Sequence, residues 1–149
     1  MRNRRKIMRI LLIDGQGGKM GRELAGQILA RYPDVSLTVV GTNSTATAAM
    51  LKSGVGLGAT GENAVVVGCR TADVIVGPIG IVIADSMLGE ITPGMALAVA
   101  QSTAEKILIP ANRCGVYIAG MNRQTISELI ADAVGKIGEL YVEKCGEKR

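Results

Sequence analysis

The chain has 149 residues and a formal net charge of +4, and it contains no His, Phe or Trp. This length suits one domain with a sizeable core and is too short for a nucleotide-binding half plus a separate substrate half. Without histidine, a His general base, a Ser-His or Cys-His dyad and a His-containing zinc site are excluded. With so few aromatic rings, the base stacking of single-strand nucleic-acid binders is almost unavailable.

The basic excess lies at the start of the chain, where Arg2, Arg4, Arg5 and Lys6 account for all of it. We interpret residues 1–7 as a flexible basic tail rather than a nucleic-acid-binding arm. The longest uncharged apolar run, residues 74–84, is much shorter than the ~20 residues of a membrane-spanning helix. The three widely spaced cysteines fit a reducing compartment. We therefore expect a cytoplasmic protein with no nucleic-acid or membrane partner.

The first predicted element is a strand at residues 10–13, a continuous apolar run typical of a central strand buried on both faces. A glycine-rich segment, residues 15–21, follows it, and we call this segment the glycine loop. An apolar stripe then predicts a helix up to Pro33, and residues 35–40 alternate like a strand near the sheet edge. The glycine loop consists of Gly15, Gln16, Gly17, Gly18, Lys19, Met20 and Gly21.

The spacing of the glycine loop, Gly-x-x-Gly-x-x-Gly, predicts a phosphate-binding site. Glycine permits positive φ and lets backbone N–H groups approach an anion at a helix N-terminus. The Lys19 side chain can add positive charge to such a site. The alternative is that the glycines serve only a tight turn and close helix packing.

After Gly41 the sequence predicts a short helix with Asn43 or Ser44 as its N-cap, and then a vestigial third strand near residues 55–59. Residues 64–67 fit either a strand or part of a helix over about residues 61–71 that is capped by Thr60. We favour the helix, because a strand there would leave too few residues for a parallel crossover to the next strand at residues 74–76.

The last third of the chain predicts a helix that begins at Thr92 and Pro93, a fifth strand at residues 106–109 and a candidate sixth strand at residues 116–119. A capping box at Thr125 begins a C-terminal helix, and residues 143–149 form a frayed tail. The predicted fold is a three-layer, Rossmann-like α/β domain over residues 1–149, with a mostly parallel sheet of about five strands and helices on both faces.

In an open α/β sheet, ligands bind beyond the carboxyl ends of the strands, which adds further residues to the predicted site. They are Thr42, Asn43 and Ser44 after the second strand, Gly77 and Pro78 after the fourth, and Asn112 and Arg113 after the fifth.

Two carboxylates are the weak catalytic candidates. Asp14 either accepts N–H groups of the turn or acts as a Mg²⁺ ligand or general base. Asp85 lies in a polar cluster with Ser86 and Glu90, for which a satisfied loop network is the simpler interpretation. The cysteines lack metal-ligand spacing, and we predict no metal site.

The segment Gly-Gln-Gly-Gly-Lys-Met-Gly with the following Arg-Glu-Leu, residues 15–24, resembles the nucleotide loop of dihydrodipicolinate reductases. This resemblance implies NAD or NADP as cofactor. Those enzymes carry a second domain with a His-rich signature, and this chain has neither. It also lacks an acid after the second strand to select the NAD ribose, and it has no nearby Arg to select NADP.

Several motifs together resemble a small bacterial family of unknown function, domain of unknown function 3842, which implies no activity. They are Ile-Asp-Gly-Gln-Gly-Gly (13–18), Gly-Thr-Asn-Ser (41–44), Gly-Ala-Thr-Gly-Glu-Asn (58–63), Gly-Pro-Ile-Gly-Ile (77–81) and Gly-Glu-Ile-Thr-Pro (89–93).

Two hypotheses follow. The first is binding of a nucleotide or dinucleotide, NAD(P)-like, through the glycine loop. The second is a non-enzymatic oligomeric module that senses a small phosphorylated metabolite or binds a partner protein, with homo-oligomer contacts through the apolar region 79–100. The sequence assigns no reaction.

Overall fold

The computed structural model describes residues 5–110 and 115–146, in which five strands alternate with five α-helices. The strands are β1 (Arg9–Asp14), β2 (Ser36–Gly41), β3 (Leu57–Thr60), β4 (Val74–Pro78) and β5 (Glu105–Ile109). The helices are α1 (Lys19–Arg31), α2 (Ser44–Leu51), α3 (Glu62–Cys69), α4 (Pro93–Gln101) and α5 (Ile126–Cys145), with a short 3-10 helix at Ile79–Val82.

The five strands form one parallel sheet in the order β3-β2-β1-β4-β5. The chain builds outward from β1 to β3 and then crosses through α3 to β4 on the other side of β1. The strand order therefore reverses between β1 and β4, at the kind of point where open α/β sheets bind ligands. The predicted α/β architecture, with β1 in the centre, is confirmed.

Two hydrophobic cores cover the two faces of the sheet. Ile10 and Leu12 of β1 pack into the core formed with α1 and α5, whereas Leu11 and Ile13 pack into the core formed with α3 and α4. This explains the continuous apolar run of β1, because successive side chains of a strand point to opposite faces.

Residues 64–67 lie in α3, as favoured from the crossover length. The predicted cap of α3 is wrong. Gly61 is the N-cap and has no side chain to offer, whereas the Thr60 hydroxyl lies 2.7 Å from that of Thr47 on α2. Thr60 is the last residue of β3 and pairs with Gly41, which directs its side chain toward α2 instead.

The predicted sixth strand at residues 116–119 is also wrong, because residues 115–125 contain neither strand nor helix. Gly115 and Gly120 bracket the segment with positive φ angles of 64° and 83°, and Tyr117 between them is 97% exposed. These glycines turn the chain away from the extended geometry that a strand needs. Asn112 and Arg113 lie outside the described residues, as do parts of both predicted tails.

Within the described ranges, no helix is both long enough and apolar enough to cross a membrane.

Candidate functional site

The glycine loop is closed on itself by the carboxylate of Asp14, the last residue of β1. Its Oδ1 accepts the N–H of Gly15 at 2.8 Å, and its Oδ2 accepts the N–H of Gly21 at 2.7 Å. Burial raises the pKa of Asp14, these two hydrogen bonds lower it in part, and the nearby charge of Glu90 raises it again. Asp14 therefore has the role of a turn-closing acceptor, one of the two alternatives for this residue.

Two of the regularly spaced glycines lie in the contact between α1 and α2. Gly18, with φ 71°, lies so close to Ala46 that a Cβ would come within 2.6 Å of the Ala46 carbonyl oxygen. A Cβ on Gly21 would lie 2.5 Å from the sulfur of Met50. Gly17, in contrast, has open space around the position of a Cβ. Gly18 and Gly21 therefore serve helix packing, whereas Gly17 has room for a side chain.

The N-terminus of α1 carries three donors that no acceptor in the described part of the chain uses. Among the described residues, the backbone N–H groups of Gly17, Lys19 and Met20 have no hydrogen-bond acceptor, whereas the other N–H groups of the glycine loop do. These three groups lie at the positive end of the helix dipole. The arrangement can accept an anion from outside the loop.

A cleft of about 770 Å³ lies beside these donors. Residues 14–20 and Glu23 line one side, Pro78, Gly80, Met87 and Leu88 a second side, and Ile126 and Ser127 a third. The cleft thus opens between the loops that follow β1 and β4, where the strand order reverses. Its volume lies within the range of pockets that hold small cofactors.

The carboxylate of Glu90 also contacts the glycine loop, although Glu90 is not among the residues that line the cleft. Its Oε1 accepts the N–H of Gln16 at 3.0 Å, the hydroxyl of Thr42 at 2.7 Å and the Nδ2 amide of Asn43 at 2.5 Å. Burial raises the pKa of Glu90, but the hydrogen bonds from Thr42, Gln16 and Asn43 outweigh burial and hold the pKa below its usual value. The Glu90 carboxylate is therefore a negatively charged group that is held by three donors of the protein itself.

The sequence placed Glu90 in a loop network with Asp85 and missed this contact. The signal that could have found it is topological, because the loops after β1, β2 and β4 meet at one edge of a parallel sheet.

The structure separates the other predicted site residues into groups. The glycine loop up to Met20 lines the cleft, as does Pro78, whereas Thr42 and Asn43 contact Glu90 and do not line the cleft. Asn43 is also the N-cap of α2, and its Oδ1 accepts the N–H of Ala46 at 2.8 Å.

Three further predicted residues, like Thr42 and Asn43, are not among those that line the cleft. Ser44 is the exposed first residue of α2. Gly77 is buried against the carbonyl of Ile13. Asp85 is exposed, with φ 65°, and its N–H is bonded to the carbonyl of Ile91. Across the part of the chain that the structure describes, no group of three His, Cys, Asp or Glu residues could hold a metal ion.

The fold is similar to that of a solved protein described as a dodecameric FMN-dependent UbiX-like decarboxylase from Escherichia coli O157:H7. The TM-score is 0.50 at 17% sequence identity, and the alignment covers 96% of this chain and 99% of that one. No curated protein matches the sequence significantly. A family described as "Domain of unknown function (DUF3842)" matches residues 9–142, and the chain belongs to that family.

Proposed function

We propose that this protein binds a nucleotide-type ligand in the cleft beside the glycine loop. The observation that carries the proposal is a set of three N–H groups, on Gly17, Lys19 and Met20 at the start of α1, that no other described residue accepts. A phosphate would accept hydrogen bonds from these N–H groups, and the exposed Lys19 side chain would add positive charge.

The remainder of the cleft suits a flat heterocycle. Pro78, Met87 and Leu88 form an apolar wall, in which Leu88 is 97% exposed. A ring seated against this wall would remove apolar surface from water, which favours binding by about 25 cal/mol per Å².

The ligand that we favour first is FMN, with NAD or NADP as the alternatives. The structurally similar decarboxylase is described as FMN-dependent, which supports a nucleotide-type cofactor as the ligand class. The proposal concerns binding rather than catalysis, because Asp14 is committed to closing the loop and Asp85 does not line the cleft.

The test is calorimetry and thermal shift with FMN, NAD, NADP, ATP and GTP on wild type and two variants. Gly17→Asp places a negative charge beside the three donors, and Gly17→Asn is the matched neutral control, because open space surrounds this position. We expect Gly17→Asp to weaken binding of the preferred ligand at least about tenfold, equal to about 1.4 kcal/mol, and Gly17→Asn to change it little. Stabilisation by none of the five at millimolar concentration would overturn the proposal.

A second candidate function is an oligomeric module that senses a phosphorylated metabolite or binds a partner protein. The observation that favours it is the exposed apolar surface of region 79–100, where Leu88 is 97% and Leu97 is 55% exposed. The similar decarboxylase is described as dodecameric, which supports assembly of this chain. Density for a ring against Pro78 in a ligand-bound crystal would favour the cofactor, and a lone phosphate on the loop would favour the sensor.

A further inference from the structure

The side of the molecule formed by α2 and β3 carries almost no charge. Residues 35–61, which include β2, α2 and β3, contain one charged residue, Lys52, although 20% of the whole chain is charged. Surface helices carry charged or polar residues on their outer face, whereas Ala48 and Leu51 of α2 are exposed. Depletion of charged residues is the compositional mark of the centre of a protein interface. The composition of this side of the molecule is therefore that of a contact surface.

β3 is an edge strand that contains neither a charged residue nor proline. All four of its residues, Leu57–Thr60, are exposed, and the order of the described strands leaves β3 paired on one side only, with β2. Natural proteins place charged residues or proline on such strands, because a free edge pairs readily with another chain. The sequence of β3, Leu-Gly-Ala-Thr, leaves its edge open to pairing.

The backbone groups on the outer side of β3 follow from its pairing with β2. The N–H of Gly61 donates to the carbonyl of Gly41 at 2.9 Å, so it points toward β2. Because the backbone groups of successive strand residues point in alternate directions, those of Gly58 and Thr60 point away from β2. Among the described residues, the backbone groups of Gly58 and Thr60 have no partner on that outer side.

A second copy of β3 fits this edge in an antiparallel register centred on Ala59. With the two Ala59 residues opposite each other on a two-fold axis, Gly58 of each copy lies opposite Thr60 of the other. Each of these two pairs then exchanges two hydrogen bonds between the outward-facing backbone groups. The central pair is of the closely spaced kind, with Cα atoms about 4.5 Å apart, which suits the small side chain of alanine.

The opposite edge of the sheet is less suited to self-pairing. β5 begins with Glu105, whose charge acts on Lys136 of α5, and Asp132 and Glu139 of α5 border the groove beside β5. Three carboxylates thus accompany one ammonium group at this edge. Two copies that met here would bring like charges together, which is unfavourable.

We infer that the β3 edge, which comprises β3 with Ala48 and Leu51 of α2, is a self-association surface at which the β3 strands of two copies pair antiparallel. The two sheets then form one continuous sheet. The occupant is a second copy because the backbone groups of the edge complement themselves across a two-fold axis, the commonest symmetry of oligomers. A standard interface buries about 800 Å² per partner, more than four strand residues supply, so α2 takes part in the contact. The inference is independent of the proposed ligand.

The first test is the mass of the purified protein, measured by light scattering. We expect wild type to be an even multiple of the 15.5 kDa chain and Leu57→Lys and Ala48→Lys each to halve that mass, because burying an unpaired charge is unfavourable. The matched control, Val142→Lys at a 70% exposed position of α5, should keep the wild-type mass. A wild-type mass of one chain, or a Leu57→Lys protein that is folded by circular dichroism and keeps the wild-type mass, would overturn the inference.

The second test detects the strand pairing itself by amide hydrogen exchange, followed by NMR. The N–H groups of Gly58 and Thr60 should exchange at least about tenfold more slowly in wild type than in Leu57→Lys, because only the paired edge protects them. The N–H groups of Ala59 and Gly61 point toward β2 within one chain, so they are the internal control and should be equally protected in both proteins. Equal exchange of Gly58 and Thr60 in the two proteins would contradict the pairing and place any self-association elsewhere.

Discussion

At the scale of single residues, Asp14 illustrates how a charged group can be structural inside a ligand-binding loop. Its side chain is only 6% exposed, and both of its oxygens accept backbone N–H groups that would otherwise be buried without partners. A carboxylate before a phosphate-binding glycine looks unfavourable in sequence. In the structure, its negative charge faces the N–H groups of Gly15 and Gly21, so Asp14 shapes the loop and does not occupy the donors beside the cleft.

Replacing this carboxylate should therefore destabilise the fold. Asp14→Ala leaves the N–H groups of Gly15 and Gly21 without acceptors in a buried place, and each such loss costs about 1–3 kcal/mol. We expect the free energy of unfolding, measured by urea denaturation, to fall by about 2–4 kcal/mol. Asp34→Ala, at an exposed turn residue, is the control and should change it by less than about 0.5 kcal/mol. Equal effects of the two substitutions would contradict the role of Asp14.

At the scale of elements, the glycine loop and α1 are built by two different requirements. Gly18 and Gly21 allow α1 to approach α2, whereas the open position Gly17 belongs to the unused donors beside the cleft. The sequence pattern alone could not separate these requirements, because a glycine that allows close helix packing and a glycine that exposes an N–H group are the same residue in the sequence.

A pair of matched alanine substitutions separates them. Gly18→Ala requires a side chain at φ 71° and places a Cβ 2.6 Å from the Ala46 carbonyl oxygen. An unfavourable φ costs about 1–2 kcal/mol, and overpacking costs about 1–3 kcal/mol. We expect urea denaturation to show a loss of about 2–4 kcal/mol for Gly18→Ala and nearly none for Gly17→Ala, where space is open. A stable Gly18→Ala protein would show that α2 moves away easily.

The elements that the sequence predicted correctly are those with a local physical signature. The apolar run of β1, the Thr92 cap of α4 and the Thr125 cap of α5 all depend on neighbours in the chain. The failures depend on distant partners. Thr60 bonds to Thr47 instead of capping α3, and the contact of Glu90 with Gln16 joins residues that are 74 positions apart.

At the scale of the whole molecule, the parallel order β3-β2-β1-β4-β5 brings the cleft and the donors bonded to Glu90 to one edge of the sheet. The loops after β1, β2 and β4 meet there. The glycine loop after β1 lines the cleft together with residues that follow β4, and Glu90 bonds to it and to the residues after β2. Apolar periodicity predicted a central β1, but the meeting of these loops arises from the sheet order and from the contacts of Glu90, which no local pattern specifies.

The outer surface of the α3–α4 layer supports the last prediction, which concerns assembly. Val67 on α3 is 47% exposed and Leu97 on α4 is 55% exposed, although both helices pack on the sheet with their other faces. We expect light scattering to give a mass that is a multiple of the 15.5 kDa chain. Leu97→Lys should shift the mass toward that of the single chain, because burying an unpaired charge at an interface is strongly unfavourable.

Val142→Lys, at a 70% exposed position of α5, is the matched control and should leave the mass unchanged. A wild-type mass of one chain would exclude this surface as a self-association site, and an equal loss of mass in both variants would place the contact elsewhere.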